Sequence, residues 1–201
     1  MVKAHELGAW FGAVLDEDNC KGPNGAVLRD YLLLIVLTGL RREETASLRW
    51  ENVDLVGRTL TVRHTKNHED HTLPLSDFLV ELLQRRKSDA VNEYVFPGGG
   101  RKGYIYEPRK FMNRIMAATG ITFTLHDLRR TFITVAESLD IPAYALKRLL
   151  NHKMSNDVTA GYIITDVERL RIPMQRITDY MLRSAKLRET AQVIELGSAA
   201  G

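Results

Sequence analysis

The sequence has one cysteine, no long hydrophobic run and no low-complexity block, and each absence excludes a class of protein. Cys20 has no second cysteine to pair with, which excludes a disulfide-stabilised secreted framework. The longest apolar run, residues 31–37, is much shorter than the roughly 20 residues that span a bilayer. No apolar segment typical of a signal peptide follows Met1. We therefore expect an intracellular protein that does not insert into membranes.

Size and composition indicate one globular domain with a weakly basic character. The 201 residues are 44% hydrophobic and 26% charged, and the net charge is +3. This charge alone gives little support for nucleic-acid binding. Its distribution is more informative, since ten basic and four acidic residues lie between Arg101 and Lys153. Such a basic half is consistent with a phosphate-binding surface and equally with a solvated helical face.

Hydrophobic periodicity and helix-ending residues predict a mainly helical chain. The predicted helices cover residues 5–15, 27–37, 42–48, 76–87, 108–118, 125–139, 143–150, 157–162 and 167–188. Ser76 is predicted to cap its helix, and Pro173 to interrupt the last helix and delay its start. Alternation predicts strands only at 59–63 and 71–75, which could pair around a polar turn. The expected fold class is mainly α with a small antiparallel β-sheet (α+β), with Leu48, Trp50 and residues 32–37 in the core.

Three basic residues have positions that suggest an anion site. His126 and Arg129 are three positions apart at the start of a predicted helix, so they share one helical face. Arg41 directly follows the break at Thr38 and Gly39. These three side chains could converge on one anion, although a lone His-x-x-Arg pattern is structural in most proteins.

Several motifs in order resemble the tyrosine recombinase, or phage integrase, family from about residue 25 to 165. The motifs are Thr38–Glu44 with Leu48 and Trp50, Lys66 after a strand, His126–Arg129, Leu149–His152, and Gly161–Tyr162. Each motif is weak alone, whereas five in the same order are specific. The resemblance implies an enzyme that performs site-specific DNA recombination, such as phage integration or excision, through a 3′-phosphotyrosyl intermediate.

The resemblance also assigns roles to residues of this chain. Tyr162 is the nucleophile, and Lys66 is the general acid for the leaving 5′-hydroxyl. Arg41, Arg129, His126 and His152 hold the phosphate. Glu44 is expected to orient Arg41 or neighbouring backbone, although it could also be an ordinary acid in the first turn of a helix. No metal or other cofactor is implied.

Residues 1–201 are expected to form a single catalytic domain, with a core at about 5–165 and a tail at 166–201. The family's N-terminal core-binding and arm-binding domains do not fit before residue 25. Contacts to the DNA backbone are predicted for Arg130, Arg109, Lys110, Arg148 and Lys153. The amphipathic segment from Ile177 to Leu196 could pack on its own domain, whereas the resemblance suggests docking on a neighbour.

The partners implied by the resemblance are double-stranded attachment sites and DNA-bending accessory proteins. An isolated domain is expected to be a monomer, and a tetramer is expected on DNA. The expected location is the cytoplasm, at the nucleoid of the host cell.

Three other interpretations compete with this one. The chain could be a DNA-binding fragment that cleaves nothing, or a type IB topoisomerase that relaxes supercoils with the same tyrosine chemistry. His64, His68 and His71 could form a metal site, but no thiol lies near them, and a solvated hairpin is preferred. Taken alone, Tyr162 would be a packing residue, and only the joint order of the motifs favours a nucleophile.

Overall fold

The computed structural model describes residues 1–63, 70–151 and 167–188. In these ranges the helices are α1 (Leu7–Leu15), α2 (Gly25–Thr38), α3 (Arg42–Ala46), α4 (Asp77–Ser88), α5 (Arg109–Thr119), α6 (Leu125–Ser138), α7 (Ala143–Leu149) and α8 (Glu168–Ser184). Three short strands are β1 (Val53–Asp54), β2 (Thr59–Val62) and β3 (His71–Pro74). The predicted α+β class is confirmed.

The strands form one antiparallel sheet in the order β1-β2-β3. Thr59 pairs with Pro74 and Val62 with His71, so β2 and β3 are joined by residues 63–70. The pairing of β2 with β3 was predicted from their alternating pattern. The two-residue strand β1 was not predicted, because so short a segment carries no periodic signal.

The core is built around α2, a helix that is buried from Tyr31 to Thr38. Its neighbours include α6, α4 and α8, which all contact it. An amphipathic surface helix exposes one face, whereas a helix that is apolar all round is found in the interior. The prediction that Leu48, Trp50 and residues 32–37 belong to the core is confirmed.

Most predicted helix boundaries agree with the structure to within two residues. Ser76 occupies the N-cap position of α4 as predicted, although its buried hydroxyl has no hydrogen-bond partner among the described residues. Its neighbour Asp77 instead donates its backbone N–H to the Gln175 side chain at 3.0 Å. The predicted helix at 157–162 lies outside the described residues.

Pro173 neither interrupts α8 nor delays its start, since the helix begins at Glu168 and contains the proline. A proline inside a helix costs about 3 kcal/mol through a lost hydrogen bond and a steric clash. Burying a large apolar side chain contributes about 1.5–3 kcal/mol. Leu170, Met174 and Ile177 are all buried around the proline, and their burial outweighs its cost.

The described part of the C-terminal segment packs on its own domain. Ile177, Met181 and Leu182 are buried, and α8 lies against α2, α6, α7 and β3. Residues 189–196 of the predicted amphipathic segment lie outside the described residues, so docking on a neighbour stays a prediction. None of the described helices combines the length and apolar character needed to cross a bilayer.

Two glycines with left-handed backbone end helices, but only one is closely packed. Gly39 follows α2 with φ 68°, and a Cβ there would lie 2.7 Å from Phe132 Cδ1. Gly120 follows α5 with φ 71°, and a Cβ there would have no neighbour within 4 Å. Glycine is therefore required at position 39 both by the left-handed backbone and by the close contact with Phe132.

We expect Gly39→Ala to be much more destabilising than Gly120→Ala. The left-handed conformation costs a non-glycine residue about 1–2 kcal/mol, which applies to both variants. Overpacking against Phe132 adds about 1–3 kcal/mol to Gly39→Ala alone. Urea unfolding followed by circular dichroism measures both free energies, and equal losses would contradict the assignment of a packing role to Gly39.

Candidate active site

The end of α2 places Arg41 at the start of α3. Thr38 donates its hydroxyl to the Leu34 carbonyl at 2.6 Å, and Gly39 closes the helix with a bond to the Ile35 carbonyl at 2.8 Å. Arg41 then adopts an extended backbone and serves as the N-cap of α3. Its backbone position is thus fixed by the abrupt end of one buried helix and the start of the next.

Glu44 contacts Arg41 through both main chain and side chain. One carboxylate oxygen accepts the Arg41 backbone N–H at 2.9 Å, and the other accepts Arg41 Nη1 at 2.7 Å. The two side chains retain 31% and 10% of their exposure, so the arginine still reaches solvent. Both contacts that the sequence suggested for Glu44, to Arg41 and to nearby backbone, are present. They restrict the guanidinium to one orientation.

The residues after Arg41 are held by the loop that precedes α5. Glu43 accepts a hydrogen bond from the Tyr104 hydroxyl at 2.6 Å and another from Lys102 Nζ at 3.2 Å. The Tyr104 hydrogen bond is the main cause that lowers the pKa of Glu43. Arg42 lies over the Tyr106 ring, 5.3 Å from its centroid. These contacts fix α3, and with it the position of Arg41.

Arg129 is buried and is bonded to two distant segments of main chain. Its side chain donates to the Gly39 carbonyl through Nη1 and to the Leu150 carbonyl through Nη2, the latter at 2.9 Å. Burial and the nearby charge of Arg41 lower the pKa of Arg129 to about 10. The guanidinium is therefore charged at neutral pH, and a second cation lies close to it.

The start of α6 sets the spacing of His126 and Arg129. Thr124 Oγ1 accepts the Asp127 backbone N–H at 3.1 Å, and the Asp127 carboxylate accepts the Thr124 backbone N–H at the same distance. This capping box fixes where the helix begins. Arg129 is buried, whereas His126, one turn earlier, is exposed. Arg129 is therefore not part of the solvated helical face that the basic half of the sequence could also have formed.

His71 lies beside this arginine pair, although the sequence was interpreted as placing it in a solvated hairpin. It is 7% exposed, and its Nε2 lies 3.1 Å from the Leu149 carbonyl oxygen. Burial lowers the pKa of His71, and the charges of Arg129 and Arg41 act in the same direction. The solvated interpretation is therefore wrong for His71. His71 is the first residue of β3 and faces inward in the alternation of that strand. This alternation was the sequence signal that could have predicted its burial.

Lys66, His152, Tyr162 and Lys153 lie outside the described residues, as do His64 and His68. Among the described residues, then, the structure brings together Arg41, Glu44, Arg129 and His71. We find no group of three or more potential metal ligands in the described part of the chain.

The other predicted DNA-backbone contacts are spread over three helices. Arg109 and Lys110 are exposed at the start of α5. Arg130 is exposed on α6, with its Nη1 3.5 Å from the Asp127 carboxylate. Arg148 on α7 is half-buried and lies over the Tyr144 ring, 5.5 Å from the centroid. Arg148 is thus the least accessible of the four.

Residues 13–169 match the phage integrase family. The chain belongs to this family, which confirms the resemblance drawn from its motifs.

Individual relatives agree with this assignment. The chain is 32% identical over 190 residues to prophage integrase IntF of Escherichia coli (strain K12), a match that covers 92% of this chain and 39% of the relative. It is 31% identical to tyrosine recombinase XerA of Pyrococcus furiosus, which covers 72% of this chain and 56% of that protein. The chain thus spans about half the length of these relatives or less.

The fold is shared with solved structures of low sequence identity. The integrase of mycobacterium phage Brujita superposes with a TM-score of 0.61 at 23% identity, covering 84% of this chain and 60% of that one. The XerH site-specific recombinase bound to its difH substrate gives the same TM-score at 21% identity, covering 82% and 50%. These similarities establish the fold of this chain.

The lowered pKa of His71 predicts a specific pH dependence of stability. The unfolded chain binds a proton at His71 near pH 6.5, whereas the folded chain does so only at lower pH. The stability contributed by the uncharged imidazole is complete above about pH 6.5. Below it, up to about 1.4 kcal/mol is lost per pH unit until the folded pKa is reached.

Comparison with His71→Gln isolates this effect, because glutamine does not titrate and the remaining acids and bases are shared. We expect the difference in free energy of unfolding, wild type minus variant, to fall as the pH is lowered from 7.5 to 5.5 in urea titrations. A constant difference would show that the pKa of His71 is the same in the folded and unfolded chains, and a difference that grows on acidification would show that folding raises it. Either result would contradict the prediction.

Proposed function

We propose that this chain is the catalytic domain of a site-specific DNA recombinase, which cuts and rejoins DNA through a covalent bond between Tyr162 and a 3′-phosphate. The observation that carries the proposal is the buried Arg129 beside the accessible Arg41 in a chain of the phage integrase family. Glu44 pairs with Arg41, and two arginines with this one acid leave an excess of positive charge that attracts a further anion. A DNA phosphate is the anion that this family acts on.

The two arginines have complementary environments for this task. Arg41 keeps 31% of its side chain exposed and is oriented by Glu44, so it can hold a phosphate oxygen directly. Arg129 supplies charge from a site of low solvent access, where electrostatic stabilisation is stronger than in water. Phosphodiester cleavage places extra negative charge on the nonbridging oxygens in the transition state. A pair of fixed guanidinium groups is suited to stabilise that charge.

In the proposed reaction the Tyr162 hydroxyl loses its proton to solvent, and its oxygen attacks phosphorus. The bond from phosphorus to the 5′-oxygen breaks, and Lys66 donates a proton to that leaving oxygen. The tyrosine proton costs about 4 kcal/mol to remove at pH 7, because a free phenol has a pKa of about 10. Nearby cations lower this cost. A second 5′-hydroxyl then reverses the step and releases Tyr162 without ATP.

His126 and His152 are proposed to add hydrogen bonds to the same phosphate. His126 is exposed on the first turn of α6, where an incoming DNA backbone can reach it. Arg109, Lys110, Arg130, Arg148 and Lys153 are proposed to position the duplex through its phosphates, without reading the sequence.

Double-stranded attachment sites are the proposed substrate, and the cytoplasm at the host nucleoid is the proposed location. The solved XerH complex, with its difH substrate, supports DNA as the partner of this fold. We further propose that the C-terminal segment joins protomers into a tetramer on DNA, with bending proteins as accessory partners, and that an isolated domain is monomeric.

Replacing Tyr162 by phenylalanine should abolish covalent attachment to DNA. A suicide substrate, nicked near the scissile phosphate, loses its 5′-hydroxyl fragment after cleavage and traps the adduct. Wild type should give a protein–DNA band that survives denaturing electrophoresis, whereas Tyr162→Phe gives none. Tyr180→Phe on α8 is the matched control and should cleave normally.

An adduct with Tyr162→Phe would contradict the assigned nucleophile. Salt-dependent DNA binding by wild type without any adduct would favour a non-cleaving binding module. Plasmid relaxation without recombinant product would favour a topoisomerase.

Lys66→Ala should cleave normal DNA about 100- to 10,000-fold more slowly, as expected for loss of a general acid. A substrate with sulfur at the scissile 5′-bridging position carries a leaving group that needs no proton. Single-turnover cleavage of this substrate should be nearly equal for Lys66→Ala and wild type. No recovery with sulfur would exclude the acid role of Lys66.

A further inference from the structure

We propose that His71 is a positioning residue for cleavage, which fixes the end of α7 and thereby the start of the segment that carries His152 and Tyr162. The inference rests on the proposed function and adds a residue to it. It starts from a buried hydrogen bond between side chain and main chain that joins two distant parts of the chain.

The hydrogen bond has a defined direction. A carbonyl oxygen only accepts, so the Nε2 atom of His71 carries the proton and donates it to Leu149. The imidazole is 7% exposed, so water competes little for this bond. The charged groups that face it are Glu44 and Arg41 from α3 and Arg129 from α6. Two of these three are cations, so an uncharged imidazole suits the position.

The acceptor lies where α7 ends. The last carbonyls of a helix have no partner inside the helix and need donors from elsewhere. His71 binds the Leu149 carbonyl, and Arg129 binds the next one, that of Leu150. Asn151 then turns with φ 51°. His71 and Arg129 together fix the direction in which the chain leaves α7.

The end of α7 matters because the proposed reacting residues come soon after it in the sequence. His152 lies three positions after Leu149, and Tyr162 ten positions later. His71 is also the first residue of β3 and comes five positions after Lys66 in the sequence. One side chain therefore links the strand beside the proposed acid to the helix before the proposed nucleophile. Displacement of a reacting group by about 1 Å can slow an enzyme about 100-fold.

Two amide variants separate the hydrogen bond from simple volume. Glutamine can place its N–H close to the position of Nε2, whereas asparagine reaches only to the position of Nδ1. We expect His71→Asn to slow single-turnover cleavage of the suicide substrate about 10- to 100-fold. His71→Gln should stay within about threefold of wild type, because it restores the bond to Leu149. DNA affinity should change little in both, because the buried His71 side chain bonds to main chain and is not proposed to contact the DNA.

Val62→Ala is the matched control, because Val62 is the buried cross-strand partner of His71. It weakens the same strand pair while leaving the hydrogen bond to Leu149 in place. If hairpin stability alone governed the rate, the two variants Val62→Ala and His71→Asn would slow cleavage equally when they lower the melting temperature equally. We expect cleavage by Val62→Ala to stay near the wild-type rate.

The outcomes distinguish this inference from the proposed function. If wild type forms no adduct, the proposed function is wrong. If wild type forms the adduct and His71→Asn forms it equally fast, only the positioning role is wrong. Equal slowing by asparagine and glutamine, or weaker DNA binding that accounts for the slowing, would also overturn the positioning role.

Discussion

The site depends on one buried guanidinium that is bonded to two main-chain carbonyls. Arg129 donates to Gly39, at the end of α2, and to Leu150, just after α7. Removing a charge from water is costly unless polar partners replace the solvent, and these carbonyls do so in part. Through these bonds Arg129 joins Gly39, two positions before Arg41, to Leu150, two positions before His152. A residue proposed to act on phosphate is thus also the link between the segments that form the site.

The residues around Arg129 hold it and its two main-chain bonds in place. Gly39 presents its carbonyl to Arg129 because a left-handed turn ends α2 abruptly, with Phe132 too close for a Cβ. The negative charge of Glu44 partly offsets the burial that lowers the pKa of Arg129, and its carboxylate restrains Arg41 through two bonds. His71 lies beside them with an imidazole whose pKa is lowered by burial. The described residues of the site therefore carry an excess of positive charge for an anion to neutralise.

Local patterns were sufficient to predict much of this structure from the sequence. The helix end at Gly39, the N-terminal position of Arg41 and the pairing of β2 with β3 each depend on residues close together in the chain. The hydrogen-bond partners of the buried side chains, in contrast, lie far away in the chain. Arg129 bonds a carbonyl 90 positions away, and His71 bonds one 78 positions away. No periodicity encodes such pairs, so the Leu149 partner of His71 could not be predicted, although the alternation of β3 did indicate that His71 faces inward. Pro173 in α8 was mispredicted for the same reason, because tertiary burial outweighs a local helix-breaking signal.

The central claim is that Arg41 and Arg129 hold the phosphate that Tyr162 attacks. A crystal structure of the full chain trapped covalently on nicked DNA tests it most directly. We expect guanidinium nitrogens of both arginines within about 3.2 Å of nonbridging oxygens on the phosphate joined to Tyr162. We also expect Arg129 to keep its bonds to Gly39 and Leu150. A phosphotyrosine bound away from either arginine would contradict the claim.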